Sequence, residues 1–153
     1  MELLPDAALD STVRALWDRL HAAGLRSLAT HTHPTNRPHV TLVGASTLTC
    51  LPPLGLPVPV ALGEAVLLGR ALVLTVSPSP ELSSLHARVW EAVGSENPLH
   101  APDRWRPHVS LALNLPPEQR EPALALLSAL PRAAGLLVEA RSYDSARRTV
   151  TGI

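Results

Sequence analysis

Arg37-Pro38-His39-Val40-Thr41-Leu42-Val43 recurs later in the chain as Arg106-Pro107-His108-Val109-Ser110-Leu111-Ala112. Each segment reads as a buried strand carrying one histidine and, two residues on, one hydroxyl. Side chains alternate faces along a strand. His39 and Thr41 therefore share one side while Val40 and Leu42 share the other, and His108, Ser110, Val109 and Leu111 divide in the same way.

The surrounding sequence predicts similar settings for both segments. A helix capped by Asp10 or Ser11 runs to about Ala23, with Val13, Leu16, Trp17 and Leu20 on one face and Gly24 as the stop. A strand over Leu25–His31, a turn at Pro34 and Asn36, and the first motif strand over about Pro38–Gly44 follow. Leu51–Pro59 holds four prolines and reads as a stiff loop. Ala65–Leu68 and Ala71–Ser77 read as strands joined at Gly69-Arg70. Pro80 opens a second helix to about Val93, with Leu82, Leu85, Val89 and Val93 on its face. Residues 94–103 form a loop before the second motif strand, Trp105–Leu113. Pro116-Pro117 starts a third helix to about Leu130. Strands at Leu136–Tyr143 and Arg147–Thr151, turning at Asp144-Ser145, close the chain. The order helix, loop, motif strand thus occurs twice, with the two histidines nearly half the chain apart. The reading is a single α+β domain over residues 1–153, built from two copies of one α/β unit.

Length and composition agree with one domain holding a sizeable core. Thirteen basic and thirteen acidic residues give zero formal net charge, so nothing points to a long polyanion held mainly by charge. Every basic residue is arginine. A lysine nucleophile or Schiff base is excluded, and any cationic phosphate contact falls to an arginine fork. Cys50 is the single cysteine, which rules out an intrachain disulfide and fits a reducing compartment. Met1, Glu2 and Asp6 do not follow the order of a signal peptide. Leu51–Val76 is interrupted by four prolines, Glu64 and Arg70, which is unlike a spanning helix. These features lead to the expectation of a soluble cytoplasmic protein with no membrane contact, and no protein partner is inferred.

Two histidines and two hydroxyls facing one cleft suit proton transfer at a phosphate. One ring takes a proton from the attacking water or hydroxyl and the other gives one to the leaving oxygen. Thr41 and Ser110 are placed to donate to non-bridging oxygens, where charge builds in the transition state. In-line displacement needs an acid and a base on opposite sides of phosphorus, and a near-twofold site supplies them. No metal or other cofactor is required.

At these residues the chain resembles the 2H phosphoesterase superfamily, whose mark is two His-x-Thr/Ser-x motifs. His39-Val40-Thr41-Leu42 and His108-Val109-Ser110-Leu111 match it. Pro107 to Leu111, with Trp105 before them, look especially like the second motif of 2′-5′ RNA ligase and cyclic phosphodiesterase relatives. The resemblance implies a two-lobed, pseudo-twofold α+β fold with antiparallel sheets flanking a central groove. It also implies metal-independent cleavage or transfer at 2′,3′-cyclic phosphates or 2′-5′ linkages, on a small nucleotide or RNA-end substrate. RNA-ligase-like members often carry an arginine five residues after the second motif histidine. Here that position is Leu113, and Gly44 takes the equivalent place after His39. This departure favours hydrolysis of a small nucleotide-derived substrate over end joining. The alternatives are a non-catalytic nucleotide or RNA-end binding module on the same fold, or end joining as in the ligase-like relatives.

Four further residues are candidates for substrate contact. Arg37 and Arg106 lie two residues before each histidine, where continued alternation would bring them to the phosphate and an early turn would leave them in solvent. Trp105 and Tyr143 can stack on a base or pack internally. His31 and His33 can join His39 only as an incomplete ligand set, so no metal site is expected.

Overall fold

The computed structural model describes residues 1–95, 97–130 and 132–153. Glu96, inside the loop expected over 94–103, and Pro131 lie outside the described residues. The elements run β1 (Glu2–Pro5), α1 (Ala7–Ala22), β2 (Val40–Thr41), β3 (Val58–Leu68), β4 (Ala71–Pro78), α2 (Pro80–Val93), β5 (His108–Ala112), α3 (Pro117–Leu126), β6 (Ala133–Asp144) and β7 (Thr149–Gly152). The architecture is α+β. One antiparallel sheet has the order β1-β2-β5-β4-β3-β6-β7, and β1 also pairs with β6. The first six strands therefore close into a ring, with β7 attached outside β6. Closure removes the free edges that a short strand such as β1 would otherwise expose. The expected pair of sheets flanking a groove is one continuous sheet, and its topology does not establish two duplicated lobes. No described helix is long and apolar enough to cross a membrane.

Register explains why β2 and β5 lie where they do. Leu3 pairs with Val40, Val40 with Val109 and Val109 with Leu74, a row of buried apolar side chains across four strands. Alternation leaves the histidines and hydroxyls on the opposite face of β2 and β5. On that face Arg141 lies across from Glu2 and Glu2 from Thr41, and His108 lies across from Thr75.

Several elements depart from the sequence reading. β1 was not foreseen, because Glu2–Pro5 is too short to show a period. α1 begins before Asp10: the carboxylate of Asp6 caps it, with Oδ1 accepting from Leu9 N at 2.9 Å. The strand expected at Leu25–His31 is a 3₁₀ turn over Leu28–Thr30. Ser27 Oγ accepts from Ala29 N and donates to Trp17 O at 2.6 Å, giving this backbone a local alternative to a ladder. The first motif strand is only Val40–Thr41, since Pro38 has no N–H to offer. β3 starts at Val58, inside the supposed proline loop, because Pro59 takes a position where its missing donor is tolerated. α2 matches its expected limits, capped by Ser79 and ended at Gly94 with φ 56°.

Candidate active site

His39 and His108 enter their strands in the same way. His39 Nδ1 lies 2.8 Å from the carbonyl of Arg37, and His108 Nδ1 lies 2.7 Å from the carbonyl of Arg106. A carbonyl can only accept, so Nδ1 carries the proton in both rings and Nε2 is left for chemistry. The arginine two residues before each histidine thus contributes its backbone. Its side chain goes elsewhere: Arg37 reaches Glu139 at 3.5 Å and Asp10 at 3.9 Å, and Arg106 is exposed.

The antiparallel pairing of Val40 with Val109 sets the motifs head to tail. In that register His39 stands across from Ser110, and Thr41 across from His108. Each histidine is therefore beside the hydroxyl of the other segment. His39 and Ser110 line one cavity of about 460 Å³, whose walls also include His31, His33, Tyr143 and Arg148. His108 and Thr41 are half-buried on the same sheet face, outside that cavity. A larger cavity of about 770 Å³, beside Gly63, Thr75 and Leu127, contains none of the four motif residues. It offers no acid–base pair and is not the candidate site.

Two tryptophans fix the motif backbone. The indole N–H of Trp105 donates to the Thr41 carbonyl at 3.0 Å, and that of Trp17 to the Ser110 carbonyl, also at 3.0 Å. Each hydroxyl-bearing residue is held by an indole from the other half of the sequence. Trp105 is backed by His86, whose ring stacks on it at 3.9 Å and 4°. His86 is 1% exposed, and its Nε2 has no hydrogen-bond partner among the described residues. Burial lowers its pKa from the usual 6.5 to about 4 and keeps the ring neutral. His100 is also lowered, first by burial and then by the N-terminal ammonium and His108. Its Nδ1 accepts from Gly44 N at 2.7 Å. Trp105 is thus placed as a backbone brace, while Tyr143 is the aromatic residue that lines the cavity.

The sequence reading missed Glu2. Its Oε2 accepts from Arg141 Nε at 2.7 Å, and its Oε1 lies 3.4 Å from His39 Nε2. Both members of the Glu2–Arg141 pair are buried. One acidic residue near a terminus carries no pattern, and only the β1–β2 pairing brings it to the motif. His31, His33 and His39 do share the cavity, but no three His, Cys, Asp or Glu side chains among the described residues form a metal-binding group.

A family model described as the 2′-5′ RNA ligase superfamily matches residues 50–142, more than half of the 153. The chain belongs to the 2′-5′ RNA ligase superfamily. This is consistent with the 2H phosphoesterase resemblance of its motifs. The superfamily match includes His108, Ser110 and strands β3 to β5, and it ends within β6. It does not extend to His39, whose assignment rests on its motif and on its geometry relative to β5. No curated protein sequence matches the chain. Leu113, where ligase-like superfamily members often carry arginine, lines the cavity beside Ser110.

Proposed function

We propose that this superfamily member is a metal-independent phosphodiesterase that hydrolyses 2′,3′-cyclic phosphates or related nucleotide and RNA-end phosphodiesters. The observation that carries the reading is the matched anchoring of the two rings. Each Nδ1 bonds the carbonyl two residues before it, so each Nε2 is oriented for proton transfer beside a hydroxyl. Thr41 and Ser110 hold the non-bridging oxygens.

Glu2 distinguishes the two histidines. Glu2 Oε1 lies 3.4 Å from His39 Nε2, and no carboxylate is paired with His108 among the described residues. In the proposed reaction His39 is the proton donor and His108 the acceptor. Water attacks phosphorus as His108 Nε2 takes its proton. The bond from phosphorus to the 2′ or 3′ oxygen breaks, and that oxygen receives the proton from His39. The products are one nucleoside monophosphate, a neutral His39 and a protonated His108, which exchange their protons with solvent before the next turnover.

The test is release of a nucleoside monophosphate from a 2′,3′-cyclic nucleotide in the presence of chelator. His39→Ala and His108→Ala each lower kcat by about 10²–10⁴-fold, the usual scale of a positioned acid or base. Full activity in either variant overturns the mechanism. Tight binding without turnover from pH 5 to 9 assigns a binding module instead.

A further inference from the structure

His108 has a second hydroxyl neighbour. Thr41 lies across from it on β2, and Thr75 lies across from it on β4. Val76 N donates to Pro107 O at 3.0 Å, so the next pair along the ladder, Thr75 with His108, is one without backbone bonds of its own. Pairs of that kind bring their side chains closest, with Cβ atoms about 4.5–5.5 Å apart. Thr75 therefore stands beside His108 on the face that carries the motif residues.

The sheet is deformed around this hydroxyl. Leu62 pairs with Val76 and Ala65 with Leu74, so Gly63 and Glu64 of β3 together oppose Thr75. A bulge of this kind re-aims the groups it faces. Here it turns the Glu64 carbonyl to Thr75, whose Oγ1 donates to it at 3.3 Å. Gly63 makes the room, since a Cβ there would run into Thr75 Oγ1. With its proton given to Glu64, the hydroxyl keeps its lone pairs and acts toward the site as an acceptor. Thr75 also lines the cavity of about 770 Å³ on its β3 side, so solvent reaches the hydroxyl.

We propose that Thr75 orients the attacking water, accepting a hydrogen bond from the proton that His108 does not take. The inference rests on the phosphodiesterase reading and deepens it, because it separates hydrolysis from transfer to an alcohol. His108 Nδ1 is held by the Arg106 carbonyl at 2.7 Å, so the Nε2 lone pair takes one proton of the water. Thr75 Oγ1 holds the other, which aims a lone pair of the water at phosphorus. As the new bond to phosphorus forms, the bond to the 2′ or 3′ oxygen breaks and His39 protonates that oxygen. The second proton of the water stays on the oxygen now bound to phosphorus and is later lost to solvent. The two hydroxyls beside His108 thus have opposite tasks: Thr41 donates to the phosphate, and Thr75 accepts from the nucleophile. Methanol has a single O–H proton, which His108 takes, so its attack owes nothing to Thr75.

Product partition tests this on the full chain. Wild type, Thr75→Val and Thr75→Ser are given adenosine 2′,3′-cyclic phosphate in buffer containing methanol, and adenosine monophosphate is separated from its methyl ester. The wild type forms both. Valine keeps the branched shape that suits a strand and removes the acceptor. Thr75→Val lowers kcat for hydrolysis about tenfold with KM unchanged, the scale of one hydrogen bond made as the barrier is crossed. Methanolysis stays where it was, so the ratio of methyl ester to monophosphate rises by the same factor. Thr75→Ser keeps the wild-type ratio. Gly63→Ala, which crowds Thr75 Oγ1 off its place, raises the ratio as well. A ratio that Thr75→Val leaves unmoved overturns the proposal, because a merely structural loss lowers both products together. Monophosphate with no methyl ester from the wild type also overturns it, since the cavity beside Thr75 has room for a methyl group, and leaves the phosphodiesterase reading standing. Neither product from the wild type overturns that reading, and the role of Thr75 with it.

Discussion

His86 makes the protein lose stability in acid over a defined window. Its ring is buried against Trp105 and is held neutral to about pH 4, whereas in the unfolded chain it titrates near 6.5. Between those values the unfolded state binds a proton that the native state refuses. Stability therefore falls as pH drops from about 6.5 toward 4 and is fully present above that window. At about 1.4 kcal/mol per unit, His86 contributes a loss of about 2 kcal/mol by pH 5 and about 3 kcal/mol by pH 4. His86→Phe keeps a flat ring on Trp105 and removes the titrating group. His100 shifts in the same direction but is present in both proteins, so it cancels in the comparison. Asp6 and Asp144, held low chiefly by backbone N–H donors, lose their contribution only below the ordinary carboxylate value of 3.8. Urea unfolding at half-unit steps from pH 4 to 7 measures the difference. The wild-type curve falls more steeply than that of His86→Phe, and the gap widens to about 3 kcal/mol at pH 4. Parallel curves would refute a neutral buried His86.

Three other outcomes follow from contacts already described. Trp105→Phe or Trp17→Phe leaves the Thr41 or Ser110 carbonyl without its indole donor, costing about 1–3 kcal/mol of unfolding free energy in urea titration and lowering kcat more than it raises KM. Glu2→Gln strands the buried Arg141 guanidinium and destabilises the fold by about 3–5 kcal/mol, which urea unfolding measures. Gly135→Ala pushes a Cβ to 2.8 Å from Asp6 Oδ2 and 3.1 Å from Leu9 Cβ. It breaks the tie by which Asp6 caps α1 and accepts from Leu136 N, and thermal melting records a loss of about 1–3 kcal/mol.

The parts of the fold with a repeating signal were legible in the sequence. α2 shows its apolar face, a Ser79-Pro80 start and a Gly94 stop, and both its limits were readable. The β3–β4 hairpin declares itself at Gly69, which has φ 61°. What could not be read was set by partners far along the chain. β1 has four residues and becomes a strand only between β2 and β6. Residues 25–31 look extended in composition, yet Ser27 and its bond to Trp17 O turn them. The candidate site divides in the same manner. His39, Thr41, His108 and Ser110 follow from their spacing, because alternation in a strand is local. Glu2 and Trp17 reach the motifs at long range and carry no local mark. Of the two settings open to Arg37 and Arg106, both take the one before the strand, ahead of prolines that lie outside both strands.

The shortness of β2 has a consequence for how the protein tolerates change. With only Val40 and Thr41 in the ladder, odd and even positions are told apart by three residue pairs, Val40 against Val109 and Leu3, and Thr41 against Glu2. Sliding the segment by one residue would turn His39 inward and bring Val40 out. Asn36 is anchored by its Nδ2, which donates to the carbonyls of Leu28 and His31, so a deletion or insertion anywhere between it and Val40 inverts the parity of the first motif while leaving every residue type in place. Loop length over these few positions decides which way the first motif faces as much as its residue types do.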